Sequence, residues 1–187
     1  MRVSDTHRAL VAKTDAFDEG VRTRRREDMK CAPGCSACCV ADLTVCDVEA
    51  ALLEEGIALL DHDALTRLQA RTLVSESSPS CVFLEGDGRC AVYASRPLVC
   101  RTQGLPMRYG KNEITEAETF ARNEANEPLT WCPLNFTLRA PLAPDVLDAG
   151  RLNLMIALSN RGAGGDAERR TSLVELAQNA VRHLSKV

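Results

Sequence analysis

Aromatic side chains are scarce, with four Phe, two Tyr and one Trp in 187 residues. So few rings give little platform for stacking nucleic-acid bases. They also leave the core to Ala, Leu and Val, a composition that argues for packed helices. Charge of one sign is lacking too: 23 Lys and Arg stand against 26 Asp and Glu, a net charge of −3. No basic field of the kind that draws a chain to nucleic acid is present. No apolar run approaches the ~18 residues that a membrane span needs. The opening stretch, MRVSDTHRALVAKTDAFDEG, carries charge every few positions and lacks the apolar centre of a secretory signal. A cytoplasmic, reducing compartment is therefore expected, with neither nucleic acid nor membrane as partner. Otherwise, 45 % hydrophobic and 26 % charged residues predict a soluble globular protein.

What the chain has in excess is cysteine, nine in all. In a reducing compartment grouped cysteines bind metal more often than they pair, and an odd number cannot pair completely. Their spacing is far from scattered. Four fall in one short stretch, Cys31-x3-Cys35-x2-Cys38-Cys39, and three follow as Cys81-x8-Cys90-x9-Cys100. Cys132 directly precedes Pro133, and Cys46 stands apart. The short gap between Cys35 and Cys38 lets two thiolates reach one metal while backbone amides turn toward the sulfurs. Neighbours Cys38 and Cys39 would be strained on a single ion, so their side chains are expected to diverge.

Around these motifs, apolar spacing predicts helices over 2–29, 47–55 and 64–76. The first has a basic end at Arg22, Arg24, Arg25 and Arg26, read as a solvated helix terminus. Thr44 and Asp47 have the form of a capping box for the second, which Gly56 is expected to end. A linker over 75–80 leads to a β-hairpin whose arms are 81–84 and 89–93, joined by Glu85-Gly86-Asp87-Gly88. Ser95-Arg96-Pro97 opens a helical turn carrying Cys100 and Arg101. A short helix is expected at 116–123, and two longer ones at 144–160 and 166–185. The expected fold is a single domain over 1–187, mainly α with a small β-hairpin. Its cysteine-cluster core covers about 31–132, wrapped by terminal helices at 2–29 and 144–186.

The histidines His7, His62 and His183 fall on terminal helices or in a polar connector and are expected at the surface, so ligation should be all sulfur. Eight cysteines remain when Cys46 is set aside, enough for two four-thiolate sites. Such a site is anionic and calls for cations beside it. Lys30, Arg89, Arg96 and Arg101 each lie within a few residues of a cysteine, and Arg96 and Arg101 are expected to bind the cofactor. His62 between Asp61 and Asp63 reads as a solvated turn.

GCSACC at 34–39, then C-V-F-L-(x5)-C-A-V-Y-(x2)-R-P-L-(x)-C-R at 81–101 and Cys132-Pro133, resembles the YkgJ-type cysteine-cluster family. That family is described as zinc- or iron-chelating and is named for its CxxCxxCC motif. The resemblance covers roughly 31–132. It implies the metal ligands Cys31, Cys35, Cys38, Cys39, Cys81, Cys90, Cys100 and Cys132. The chain departs from the motif in one place, three residues rather than two between Cys31 and Cys35. Cys46 has no counterpart.

Two cofactors stay open on this reading. The tight cysteine run plus a remote Cys-Pro is close to iron–sulfur ligation, while the short knuckles suit zinc. The function expected is a cytosolic metal-binding protein with a structural, redox or accessory role. Its alternatives are an iron–sulfur-dependent enzyme of methyl transfer or redox chemistry, and a metal storage or delivery protein. Cys31-x3-Cys35-x2-Cys38 also has the radical-SAM spacing. Ala37 stands where that loop carries an aromatic, however, and the chain is too short for a complete barrel of about 250 residues.

Overall fold

The aliphatic-rich stretches do form helices. A computed structural model describes residues 2–75, 78–111 and 113–184. Among these lie six α-helices: α1 (Asp5–Arg24), α2 (Asp47–Ala58), α3 (His62–Val74), α4 (Leu98–Arg101), α5 (Ala149–Gly162) and α6 (Leu173–Leu184). The strands are short: β1 (Thr44–Val45), β2 (Met107–Arg108), β3 (Ala121–Arg122), β4 (Pro128–Thr130), β5 (Leu147–Asp148) and β6 (Thr171–Ser172). β1 and β6 form an antiparallel pair, and the other four form one sheet in the order β3-β4-β2-β5. The architecture is mainly α with small β elements. No helix among the described residues is long and apolar enough to cross a membrane.

Two compact units make up the chain. One gathers the described residues of 1–8, 32–100 and 159–187, the other those of 9–31 and 101–158.

In the first unit, Leu53 and Ile57 of α2, Leu68 of α3 and Leu176 and Ala177 of α6 pack into one apolar cluster with Phe83. The i,i+4 spacing of Leu53 and Ile57 puts both on the buried stripe. Helix α2 departs from expectation at both ends. Its N-cap is Cys46, with no side-chain cap bond, and Thr44 is drawn into β1 instead. The cap comes from elsewhere: Asn160 Oδ1 accepts the Val48 N–H at 3.0 Å. Gly56 does not end the helix, which runs on to Ala58; a Cβ at this position would lie 2.5 Å from the Ser95 side chain. Glycine at that point allows close packing against the turn Tyr93–Ser95. Helix α3 starts at His62, two residues earlier than expected, because Asp61 Oδ1 caps it by accepting the Ala64 N–H at 2.7 Å. Residue 76 of the expected helix and residues 76 and 77 of the expected linker lie outside the described residues.

The expected hairpin survives as a connection rather than a ladder. A single β-bridge joins Leu84 to Cys90, flanked by Glu85 N–H to Arg89 O and Ala91 N–H to Phe83 O, both 2.8 Å. Tight turns follow each cysteine at once, Leu84 N–H to Cys81 O and Tyr93 N–H to Cys90 O, so no strand can extend. Helix α6 begins only at Leu173, because 171–172 pair with β1 first, and residues 185 and 186 of the expected helices lie outside the described residues. His7 does not lie at the surface as expected. It is fully buried, with Nδ1 3.1 Å from Ser159 Oγ.

The second unit holds most of the aromatic rings. Trp131 meets Phe120 and Phe136 edge-on, with centroids 5.4 and 6.2 Å away, beside buried Val21, Met29 and Leu105. The expected helix at 116–123 shrinks to a 3-10 turn, Glu116–Glu118, because Phe120 N–H pairs with Leu129 O at 2.9 Å and pulls the chain into the sheet. Helix α5 likewise starts at Ala149 rather than 144, since Leu147–Asp148 pair with β2. The basic end of α1 is taken by carboxylate: Arg24 and Arg25 both bind Asp145, the latter at 2.5 Å.

One buried group in the first unit sets the position of α4. Glu49 is 3 % exposed; its Oε1 accepts the Leu98 N–H at 2.9 Å, and Oε2 lies 3.6 Å from the Cys46 thiol. Burial pushes the Glu49 carboxyl pKa up. A raised carboxyl contributes stability that is complete below its unfolded value and lost as pH rises through the folded one. Glu49→Gln keeps the acceptor for Leu98 without that penalty and should match or exceed the parent stability at pH 8. Glu49→Ala should lose about 1–3 kcal/mol by orphaning the buried N–H. Urea unfolding at pH 5 and pH 8 checks both, and a glutamine variant as weak as the alanine one would contradict this account.

Candidate metal centre

Proline and glycine break the chain after α1 into two successive turns. Cys35 N–H bonds Ala32 O at 3.0 Å, and Cys39 N–H bonds Ser36 O at 2.9 Å. The chain then runs antiparallel to the segment before Cys81. Val40 and Ser80 form a bridge, Cys81 N–H donates to Cys39 O at 2.9 Å, and Ala41 N–H donates to Pro79 O at 3.1 Å. This short ladder sets Cys39 beside Cys81. The Leu84–Cys90 bridge folds Cys90 back toward Cys81. Pro97 O, accepting the Cys100 N–H at 3.0 Å, starts the turn of α4 that carries Cys100.

The first unit therefore brings four thiols together. Cys81, Cys90 and Cys100 lie within electrostatic range of one another, and Cys39 lies within range of all three. Burial, then the neighbouring sulfurs, pushes Cys90 to about 11 and Cys100 to about 12. Burial is also the main cause of the upward shift at Cys81. Backbone N–H groups oppose it: those of Phe83 and Leu84 face the Cys81 sulfur, and that of Val92 faces Cys90. These amides sit two and three residues beyond the cysteine, as a thiolate knuckle requires. Among the described residues, no three His, Cys, Asp or Glu side chains close tightly enough to grip an ion as they stand. The quartet is gathered at electrostatic range, and a change of χ1 swings a sulfur by about 3 Å on a fixed backbone.

The surroundings fit an anionic group. Arg71 of α3 lies near enough to Cys81 and Cys90 for their charges to be coupled. Its Nε donates to Val82 O at 2.8 Å, while its Nη2 is buried with no hydrogen-bond partner in the protein. A thiolate or sulfide is the acceptor such a donor lacks. Arg96 stacks on Tyr93, 3.6 Å from the ring centroid, and its charge favours the thiolates of Cys90 and Cys100.

The other expected residues are placed differently. Cys35 and Cys38 are exposed in the first unit, whereas neighbouring Cys39 is half-buried. Cys31 and Cys132 are half-buried in the second unit. They flank Gly104, where a Cβ would lie 2.7 Å from Cys31 Sγ and 3.9 Å from Cys132 Cβ. Arg101 is buried in the second unit and grips Asp15 with both carboxylate oxygens within 2.7 Å. Lys30 Nζ donates to Glu27 O, and Arg89 is exposed beside Asp87. Cys46 is buried with Glu49, away from any role in the expected ligand set.

Sequence reasoning missed Arg71, which lies on a helix dense in charge with no cysteine nearby in the chain. A family model named CxxCxxCC, described as a "Putative zinc- or iron-chelating domain", matches residues 30–133. No curated protein and no solved structure matches the chain.

Proposed function

Since the chain belongs to the CxxCxxCC family of zinc- or iron-chelating domains, we propose that Cys39, Cys81, Cys90 and Cys100 form one four-thiolate centre in a metal-chelating protein. Cys31, Cys35, Cys38 and Cys132 complete a set of eight ligand cysteines. The carrying observation is the gathering of the four sulfurs within electrostatic range of one another, with N–H groups aimed at Cys81 and Cys90. The cargo is iron, as an iron–sulfur centre, or zinc; bound by four thiolates, either gives a centre that is doubly negative overall. When bound, either supplies a cross-link among four chain segments, and iron–sulfur adds a one-electron couple. The role is structural or accessory, with Arg71 and Arg96 offsetting the charge.

Metal and acid-labile sulfide analysis of anaerobically purified, reduced protein tests this. Iron with matching sulfide and a brown colour identifies the cluster, and a colourless zinc-loaded chain identifies zinc. Protein that carries neither, and takes up neither stoichiometrically, overturns the proposal. Exposure of Cys35 and Cys38 favours a second reading, metal delivery. Rapid transfer of the metal to a competing chelator supports that reading, and retention over hours rejects it.

A further inference from the structure

We infer that Asn135 is a positioning residue for the metal-binding thiolate of Cys31, an inference that rests on the reading of Cys31 as a ligand. The Asn135 side chain is 1 % exposed in the second unit, where a buried amide must have its polar atoms satisfied. Its Oδ1 accepts the Lys30 N–H at 2.7 Å. Its Nδ2 donates to Gly104 O at 2.8 Å and faces Cys31 Sγ at 3.3 Å. These partners fix which end of the amide is which, because a backbone N–H can bind only the oxygen and a carbonyl only the NH2. One of the two amide hydrogens is thus left for the sulfur.

The backbone ties the same three segments together. Asn135 N–H bonds Cys132 O at 2.8 Å, closing the turn that carries Cys132. Gly104, at φ +92°, leaves the space that Cys31 Sγ and Asn135 Nδ2 occupy: an added Cβ would sit 2.7 and 3.1 Å from them. A donor locked by two backbone partners cannot turn away from the sulfur. It therefore selects one orientation of the Cys31 side chain and offers a hydrogen bond that strengthens as the sulfur becomes anionic. Lys30, the neighbouring cation in sequence, contributes its backbone to this arrangement rather than its charge.

Asn135→Asp tests the inference, since it keeps the acceptor for Lys30 and replaces the donor with a carboxylate oxygen. Zinc retention against a chromophoric chelator is measured for the full chain, for Asn135→Asp, for Cys31→Ala and for the double variant. The zinc lost on Cys31→Ala defines the Cys31-dependent metal. Asn135→Asp should weaken that fraction about 10–100-fold and change nothing further once Cys31 is gone. An equal loss in the Cys31→Ala background, or no loss in the parent, overturns the inference. If Cys31→Ala itself releases no metal, the ligand reading beneath it falls as well. Should Asn135→Asp fail to fold, the unmodified protein loaded with cadmium-113 supplies the answer. A scalar coupling from cadmium to an Asn135 side-chain amide proton is expected, because that proton is bonded through the sulfur. Coupling to the Cys31 β-protons without it also overturns the inference.

Discussion

Replacing Cys90 with alanine should empty the quartet and unfold much of the first unit, whereas Cys46→Ala should leave the metal content unchanged. Each of the four thiols comes from a different piece of backbone: the turn at 36–39, the two sides of the bridge at 81–90, and α4. Val82, Phe83 and Val92 pack into the apolar cluster, and isolated β-bridges join Leu84 to Cys90 and Val40 to Ser80; metal would add the cross-link among the four thiols themselves. Binding energy for a structural four-ligand site is of order 10 kcal/mol, and in such a region it acts as folding energy. Loss of one sulfur should therefore cost several kcal/mol in denaturant unfolding. Cys46, whose thiol partner is Glu49, lacks that role and should cost no more than an ordinary buried truncation. Equal metal loss in the two variants would contradict the assignment.

The same thiols set a pH dependence. Because the folded chain raises Cys90 to about 11 and Cys100 to about 12, both are neutral near pH 7 without metal. Metal uptake must then displace protons, and affinity should fall as pH is lowered. The metal-free, reduced chain behaves in the opposite sense. Its stability is complete below the unfolded thiol value near 8.5 and is lost as pH rises through the folded values. Calorimetry in buffers of different protonation enthalpy reads the first effect, and alkaline unfolding of the metal-free chain reads the second.

The helices were legible because each rests on local spacing. Leu53 and Ile57, or Leu176 with Ala177, mark a buried stripe wherever the chain later packs. Boundaries failed where a distant partner decided them. Thr44 has the look of a cap, yet pairing with residues 171–172 takes it into a strand, and Asn160 caps α2 from far along the chain. Gly56 reads as a stop, but its purpose is the approach of Ser95. His7 looked like a surface residue on a charged helix and is buried against Ser159. At the candidate site, the grouping of cysteines was readable from their number and spacing. Which four meet was not, because the ladder between Cys39 and Cys81 depends on residues 40 apart in the chain. Arg71 and Asn135 could not be read for the same reason: Arg71 comes within electrostatic range of Cys81 and Cys90 only through the fold, and Asn135 faces Cys31 Sγ from 104 residues along the chain.

Gly88→Ala should be the most damaging glycine substitution in the first unit, and Gly86→Ala, two residues away, should be nearly silent. Gly88 sits at φ +80°, a conformation in which an alanine is strained by about 1–2 kcal/mol. Its added Cβ would also lie 2.8 Å from Gly34 O and 3.2 Å from Gly34 Cα. Those are backbone atoms and cannot rotate aside. Gly34 belongs to the turn that leads into Cys35 and on to Cys39, so the hairpin tip and the cysteine loop are held together where neither carries a side chain. Forcing them apart should displace Cys39 from Cys81, with a total cost of about 2–4 kcal/mol and weaker metal retention. At Gly86 an added Cβ meets nothing within 4 Å, and the change should stay within about 0.5 kcal/mol. Denaturant midpoints and chelator competition on the two variants separate these outcomes. If Gly88→Ala unfolds and releases metal no sooner than Gly86→Ala, the glycine contact does not hold the cysteine loop, and Cys39 must be positioned by its ladder to Cys81 alone.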